Sequence, residues 1–122
     1  MPVQPAWRQT AETPVGTRDP AHFAADRELA RQAGVAVQVE PLIVSSEASV
    51  LAFRDTVLAA HGRVDGLVYN TVSRPMKGEK SHADEWRDSM ETNATGLYLT
   101  LNAFAETMAK QEAGGSIVSI AS

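Results

Sequence analysis

Residues 62–70 read Gly-Arg-Val-Asp-Gly-Leu-Val-Tyr-Asn, and this short run joins two kinds of secondary structure. Upstream of it, Val50, Phe53 and Val57 recur at the spacing of one helical face, and Ser45–Ser46 offer an N-cap for that helix. Gly62 is well placed to end the helix in a left-handed conformation. The apolar residues that follow predict a strand over 64–69.

The same alternation of helix and strand extends in both directions. Asp19 and Pro20 predict a helix start, Gly34 predicts its end, and a strand is expected over 35–39. Downstream, a long helix is expected from about 84 to 112, followed by a strand over 116–121. This order predicts an α/β fold with parallel strands. We expect residues 1–17 to be an irregular arm, with at most a strand stub at 15–17.

Length, charge and composition limit the classes of protein that are possible. The chain has 122 residues, with 11 Lys+Arg against 15 Asp+Glu and a net charge of −4, so a nucleic-acid-binding basic stripe is not expected. It has no cysteine, and its three histidines are dispersed, so neither disulfides nor a metal site is expected. No apolar run approaches the ~20 residues of a membrane span, and no signal peptide is apparent. We expect a cytoplasmic protein.

Three local motifs occur in a fixed order along the chain. The first is the 62–70 run, the second is Asn-Ala-Thr-Gly at 93–96 after Trp86, and the third is Gly-Ser-Ile-Val-Ser-Ile-Ala-Ser at 115–122. In this order and spacing, the chain from about Thr17 onward resembles the short-chain dehydrogenase/reductase family. The resemblance implies a partial Rossmann-like doubly wound parallel sheet, with about three strands alternating with helices. The first βα unit and the C-terminal strands of that fold are not matched. Residues 18–122 are then a partial NAD(P)-binding domain.

The resemblance also assigns roles to individual residues. Ser122 matches the catalytic serine, and Asn93 matches the asparagine of the catalytic tetrad, which the family places at a helix kink. Asn70 matches the second asparagine of an N-N-A-G motif beside the cofactor. Arg18 matches a basic residue that pairs with the 2′-phosphate of NADP, so NADP is slightly favoured over NAD. The implied substrate is a small carbonyl or alcohol compound.

The chain also departs from the family pattern. Its 122 residues contain neither a T-G-x-x-x-G-x-G turn nor a Tyr-x-x-x-Lys pair, so we expect no turnover by this chain alone. Ile43 occupies the position of an aspartate that reads the adenine amino group. Tyr69 and Val72 replace the first asparagine and the glycine of N-N-A-G. Because the first βα unit of the family fold is not matched, the strand at 35–39 lacks its usual neighbours. It is expected to pair with the strand at 64–69 or to leave free edges.

Two alternatives remain open from the residues themselves. Asn93 lies on an apolar helical face that includes Trp86, Met90 and Met108, where it could be a satisfied structural amide. The whole chain could also be a non-catalytic interaction module that oligomerises through its long helix near 84–112. Leu99, Ala103 and Tyr98 lie off the main apolar stripe and are the candidates for that oligomer face.

Overall fold

The computed structural model describes residues 13–18, 20–34, 37–73 and 82–120, and the chain divides into two compact units, Met1–Leu42 and Ile43–Ser122. The predictions for Asp19 and Ser122 lie outside the described residues. No helix among the described residues is long and apolar enough to cross a membrane. The same residues contain no group of three or more His, Asp or Glu placed to hold a metal ion.

In the N-terminal unit, the described residues form one strand–helix–strand element. Strand β1 (Thr13–Thr17) leads through a 3-10 turn (Pro20–Phe23) into helix α1 (Ala24–Gln32), and strand β2 (Val37–Pro41) follows. The two strands are parallel, with Thr13 opposite Val37 and Thr17 opposite Pro41. Gly34 ends the helical segment at a φ of 79°, as its position predicts.

Two predictions for this unit differ from the structure. Residues 13–17 are a full strand, because the parallel partner β2 supplies hydrogen bonds that override the local signals of Pro14 and Gly16. The strand expected at 35–39 runs from 37 to 41 and pairs with β1, a neighbour that the sequence did not predict, while its other edge has no partner among the described strands, as one of the two expectations had it.

The described residues of the C-terminal unit form three α-helices and two strands. Helix α2 (Glu47–His61) is followed by β3 (Gly66–Tyr69), α3 (Ala83–Met90), a π-helical turn (Glu91–Thr95), α4 (Gly96–Ala109) and β4 (Ser116–Ser119). Strands β3 and β4 are parallel neighbours, with Gly66 opposite Ser116 and Tyr69 opposite Ser119. Ser46 caps α2 by accepting a hydrogen bond from the Ser49 N–H at 3.3 Å. Gly62 ends it at a φ of 76°.

The core of this unit lies between α2 and α4. Phe53 and Phe104 are both buried, and their ring centroids are 6.1 Å apart at an interplanar angle of 60°. Other buried apolar side chains on these two helices complete the core: Val50, Val57, Ala103 and Met108. The helical face predicted for α2 is therefore confirmed at its three central positions.

Helix α4 is joined to the start of the β3–β4 ladder through a side-chain amide. The Gln111 Oε1 atom accepts from the Val64 N–H at 2.8 Å, while its Nε2 atom donates to the carbonyls of Val64 at 2.7 Å and Gly114 at 2.9 Å. The side chain thus hydrogen-bonds the Val64 backbone as a neighbouring strand would. This contact fixes the end of α4 against the point where both strands begin.

The apolar stripe predicted along residues 84–112 is only partly correct. Phe104 and Met108 are buried, but Trp86 is 59% exposed and Met90 is 43% exposed. Ala103, expected on the outward face, is buried, whereas Tyr98 is exposed as expected. The π-helical turn explains the change of face. One additional residue rotates the helical pattern by about 100° between α3 and α4.

Candidate functional site

The polar residues at the carboxyl ends of β3 and β4 form the candidate site. Ligands of parallel α/β sheets bind outside the carboxyl ends of the strands. At this edge the Ile120 N–H donates to the Tyr69 carbonyl at 2.9 Å, which extends the pairing of the two strands by one step. Asn70 follows β3 directly, is exposed, and begins the segment 70–73, the described part of the chain after this strand.

Asn93 lies in the π-helical turn, and its amide binds Ser73, the last residue of that segment. Its Oδ1 atom accepts from the Ser73 N–H at 2.8 Å. Its Nδ2 atom donates to the Ser73 carbonyl at 2.7 Å and to the Ser89 Oγ atom at 2.9 Å. Both amide hydrogens are therefore engaged, and the side chain links helix, loop and serine hydroxyl.

Two further contacts tie Ser73 to helix α3. The buried Ser89 hydroxyl donates to the Ser73 carbonyl at 3.1 Å, and the Ser73 hydroxyl donates to Asp88 Oδ2 at 3.1 Å. The loop after β3 is thus held from the helix side by three side chains. These bonds agree with the interpretation of Asn93 as a structural amide whose hydrogen bonds are satisfied. A role in proton transfer stays a prediction.

Tyr69 makes a second link between β3 and the π-helical turn. It is the last residue of β3, it is 5% exposed, and its hydroxyl donates to the Thr92 carbonyl at 2.7 Å. Burial raises the pKa of the Tyr69 hydroxyl, so the phenol stays protonated and remains a donor at neutral pH. Gly96 allows this approach, because a Cβ atom there would lie 2.9 Å from the Tyr69 Oη atom.

The positions at which the family contacts its cofactor include one residue in each unit. In the N-terminal unit, Arg18 directly follows β1, is exposed, and makes no hydrogen bond or ion pair with the described residues. A free guanidinium at a strand's carboxyl end fits a phosphate group. In the C-terminal unit, Ile43 is 48% exposed; its backbone N–H donates to Ser49 Oγ at 2.9 Å, and its carbonyl accepts from the Ser46 N–H at 3.0 Å. Its side chain offers no acceptor for an adenine amino group.

Sequence reasoning missed Tyr69, Ser73, Ser89 and Gln111 as contributors to the site and its support. The spacing of Ser89 and Asn93 was a usable signal, because residues four apart share a helical face. No comparable signal joins Asn93 to Ser73 or Gln111 to Val64, since those partners are separated by 20 and 47 residues.

Comparison with known proteins agrees with this geometry. Residues 9–122 match the family model of the short chain dehydrogenases. An uncharacterised oxidoreductase of Mycobacterium tuberculosis is 33% identical over 109 residues, which cover 89% of this chain and 38% of that protein.

Solved structures give the same result. A short-chain dehydrogenase/reductase from Burkholderia xenovorans has a TM-score of 0.82 at 34% identity, over 93% of this chain and 43% of that one. A metagenomic short-chain oxidoreductase in complex with NADP has a TM-score of 0.79 at 31% identity, over 94% of this chain and 52% of that one. The chain thus spans roughly two-fifths to one-half of the length of these relatives. With its motifs, its strand–helix order and this family match, the chain belongs to the short-chain dehydrogenase/reductase family.

Proposed function

We propose that this chain is the central portion of an NAD(P)-dependent oxidoreductase that transfers hydride between a nicotinamide and a carbonyl or alcohol carbon of a small molecule. The observation that carries the proposal is the Asn93 amide, which holds the loop at the carboxyl end of β3 through Ser73. We also propose that the protein is cytoplasmic.

Each predicted site residue then has a defined task. Arg18 binds the 2′-phosphate of NADP, and Asn70 lies beside the cofactor at the end of β3. Asn93 orders the adjoining loop, and Ser122 hydrogen-bonds the substrate oxygen. The nicotinamide, when bound, supplies the hydride chemistry, while the protein supplies orientation and proton transfer. Solved relatives include one in complex with NADP and one in complex with NAD, so the preference for NADP rests on Arg18, with NAD as the alternative.

We further propose that the 122-residue chain does not turn over substrate alone. Tyr69 and Tyr98 are its two tyrosines, and neither has a lysine four residues later. Tyr69 is moreover buried and bonded to a backbone carbonyl, so it is unsuited to exchange protons with a substrate. Incubation with NADPH and a panel of aldehydes and ketones should give no oxidation at 340 nm. Measurable turnover would contradict this part of the proposal.

The binding step is tested with the half of NADP that carries the 2′-phosphate. Calorimetric titration of the chain with 2′,5′-ADP and with 5′-AMP should show tighter binding of the former. Arg18→Ala should remove most of that difference, a loss of roughly tenfold for one charge-assisted contact. Arg27→Ala is the matched control, because Arg27 is an exposed arginine on α1 in the same unit. Equal affinity for both nucleotides in the unmodified chain would contradict the assignment of Arg18.

A second function is favoured by a specific observation on α3 and α4. Trp86, Met90 and Tyr98 are 59%, 43% and 65% exposed, and aromatic residues and methionine are enriched at protein interfaces. The chain could then act as a self-associating module without catalysis. Size-exclusion chromatography with light scattering should show dimers or larger species for the unmodified chain and monomers for Trp86→Glu. A monomeric chain at all concentrations would exclude this candidate.

A further inference from the structure

Tyr69 occupies a position that couples a strand end to an irregular helical turn. Its side chain is buried, and the hydrogen bond from its hydroxyl to the Thr92 carbonyl spans 23 residues of sequence. Thr92 is 3% exposed, and its own hydroxyl finds no partner among the described residues. The Thr92 side chain therefore does not anchor this residue to β3 through a hydrogen bond. The phenol hydroxyl does so through the backbone.

The anchored residue immediately precedes Asn93. A π-helical turn departs from the regular α-helical pattern, as the Gly96 N–H bonded to the Glu91 carbonyl shows. Such a turn needs tertiary contacts to hold it in place, since its hydrogen bonds alone do not favour it over a regular helix. Tyr69 contacts the turn at Thr92, and the next residue, Asn93, binds Ser73.

The two links flank the segment 70–73. Tyr69 stands directly before this segment and reaches the turn through Thr92, while Ser73 is its last described residue and reaches the same turn through Asn93. The segment that carries Asn70 is thereby tied to the π-helical turn at Tyr69 and at Ser73. Gly96 provides the space for the phenol, because a Cβ atom there would stand 2.7 Å from a Val44 methyl group as well as 2.9 Å from the Tyr69 hydroxyl.

We infer that Tyr69 is a positioning residue, whose hydroxyl fixes the π-helical turn and, through Asn93, orders the 70–73 loop at the ligand-binding edge of β3. The inference deepens the proposed function, and its importance for cofactor binding rests on that function. It also gives a purpose to a departure from the family motif, in which an asparagine stands at this position.

The test uses the full chain and the substitution Tyr69→Phe, which removes only the hydroxyl. Native-state hydrogen exchange should accelerate roughly 5- to 30-fold at the Ser73 N–H and at the Asn93 side-chain amide, the range expected for one lost buried hydrogen bond. The core amides of Val50 and Phe104 should exchange as before. Tyr98→Phe is the matched control, because Tyr98 is 65% exposed, and it should leave every one of these rates unchanged.

Other outcomes would overturn the inference. Equal acceleration at all amides would show that Tyr69 contributes only to global stability, and unchanged exchange at Ser73 would show that the hydroxyl does not order the loop. If Tyr69→Phe does not fold, the unmodified chain decides. The hydrogen bond to Thr92 requires a slowly exchanging Tyr69 hydroxyl proton that is coupled to the Thr92 carbonyl carbon in NMR spectra. The absence of this signal would refute the contact.

NADPH binding, followed by its fluorescence, separates this inference from the proposed function. If neither form binds NADPH but Ser73 exchange distinguishes them, the positioning role stands and the proposed function fails. If both forms bind NADPH equally and Ser73 exchange is unchanged, the positioning role fails and the proposed function stands. Weaker NADPH binding by Tyr69→Phe, together with faster Ser73 exchange, supports both.

Discussion

Replacing Asn93 with aspartate changes the site's hydrogen bonding with almost no change in shape. The Oδ1 acceptor for the Ser73 N–H at 2.8 Å remains. Both donations from Nδ2 are lost, to the Ser73 carbonyl at 2.7 Å and to Ser89 Oγ at 2.9 Å. At neutral pH a carboxylate oxygen would face the Ser73 carbonyl, and two acceptors at that distance repel.

The expected cost follows from these contacts. Two lost hydrogen bonds at about 1 kcal/mol each give about 2 kcal/mol less free energy of unfolding. If the Ser89 hydroxyl turns to donate to the new carboxylate, it gives up its bond to the Ser73 carbonyl at 3.1 Å, so one hydrogen bond replaces another and the expected cost stays at about 2 kcal/mol. With a urea dependence of about 2 kcal/mol per molar, the unfolding midpoint should fall by about 1 M.

The substitution also makes stability depend on pH. The facing carbonyl disfavours the carboxylate, so the pKa of the new Asp should lie above its unfolded value of about 3.9. Protonation restores a donor toward the Ser73 carbonyl. The stability deficit should therefore shrink as the pH falls through the raised pKa, and should be complete at neutral pH.

Urea unfolding followed by circular dichroism at pH 7 and at pH 4 is the assay. Asn102→Asp is the matched control, because Asn102 is exposed on α4, and its free energy of unfolding should change by less than about 0.5 kcal/mol. The reasoning is refuted if Asn93→Asp unfolds like the unmodified chain at pH 7. It is equally refuted if its deficit does not shrink at the lower pH, or if Asn102→Asp costs as much.

Three further predictions concern the support of the site. Gln111→Ala should lower the free energy of unfolding by about 2–4 kcal/mol, because it leaves a buried backbone N–H and carbonyl unpaired, whereas Glu112→Ala should have little effect in the same urea assay. Gly96→Ala should cost about 1–3 kcal/mol, since its Cβ atom would stand 2.7 Å from another side chain, while Gly66→Ala meets only a carbonyl oxygen at 3.9 Å and should be tolerated. Burial raises the pKa of the Tyr69 hydroxyl above its ordinary value of 10.0, so the stability that the protonated hydroxyl contributes should be complete below pH 10.0 and lost as the pH rises through the raised pKa. Unfolding curves over a pH series test this, and the same loss of stability in Tyr69→Phe would contradict it.

The starts and ends of the helices can be predicted from the sequence because each signal has a local physical cause. Ser46 supplies an oxygen for a free helical N–H, and Gly34 and Gly62 adopt left-handed conformations without a Cβ penalty. The buried face of α2 also follows from a regular 3.6-residue period. These features depend on residues within a few positions of one another.

Predictions failed where distant residues determine the conformation. Strand β1 contains Pro14 and Gly16, which discourage a strand locally, and it forms because β2 pairs with it from 24 residues away. The face of α3 was misassigned because a single helical period was applied across residues 84–112. The local composition does not indicate the π-helical turn at 91–95, although the family resemblance implies a helix kink at Asn93; this turn shifts the period and exposes Trp86 and Met90.

The departure at Tyr69 shows how motif reasoning and geometry can lead to different conclusions. Compared with the family motif, a tyrosine in place of asparagine suggests a site that has lost a functional amide. In the structure the phenol is buried, its hydroxyl reaches the Thr92 carbonyl at 2.7 Å, and Gly96 leaves the space that this ring requires. A random replacement by a large side chain would create a clash or an unsatisfied hydroxyl. Because neither occurs, the substitution and its surroundings fit one another, and Tyr69 is better understood as an alternative support for the π-helical turn than as damage to the site.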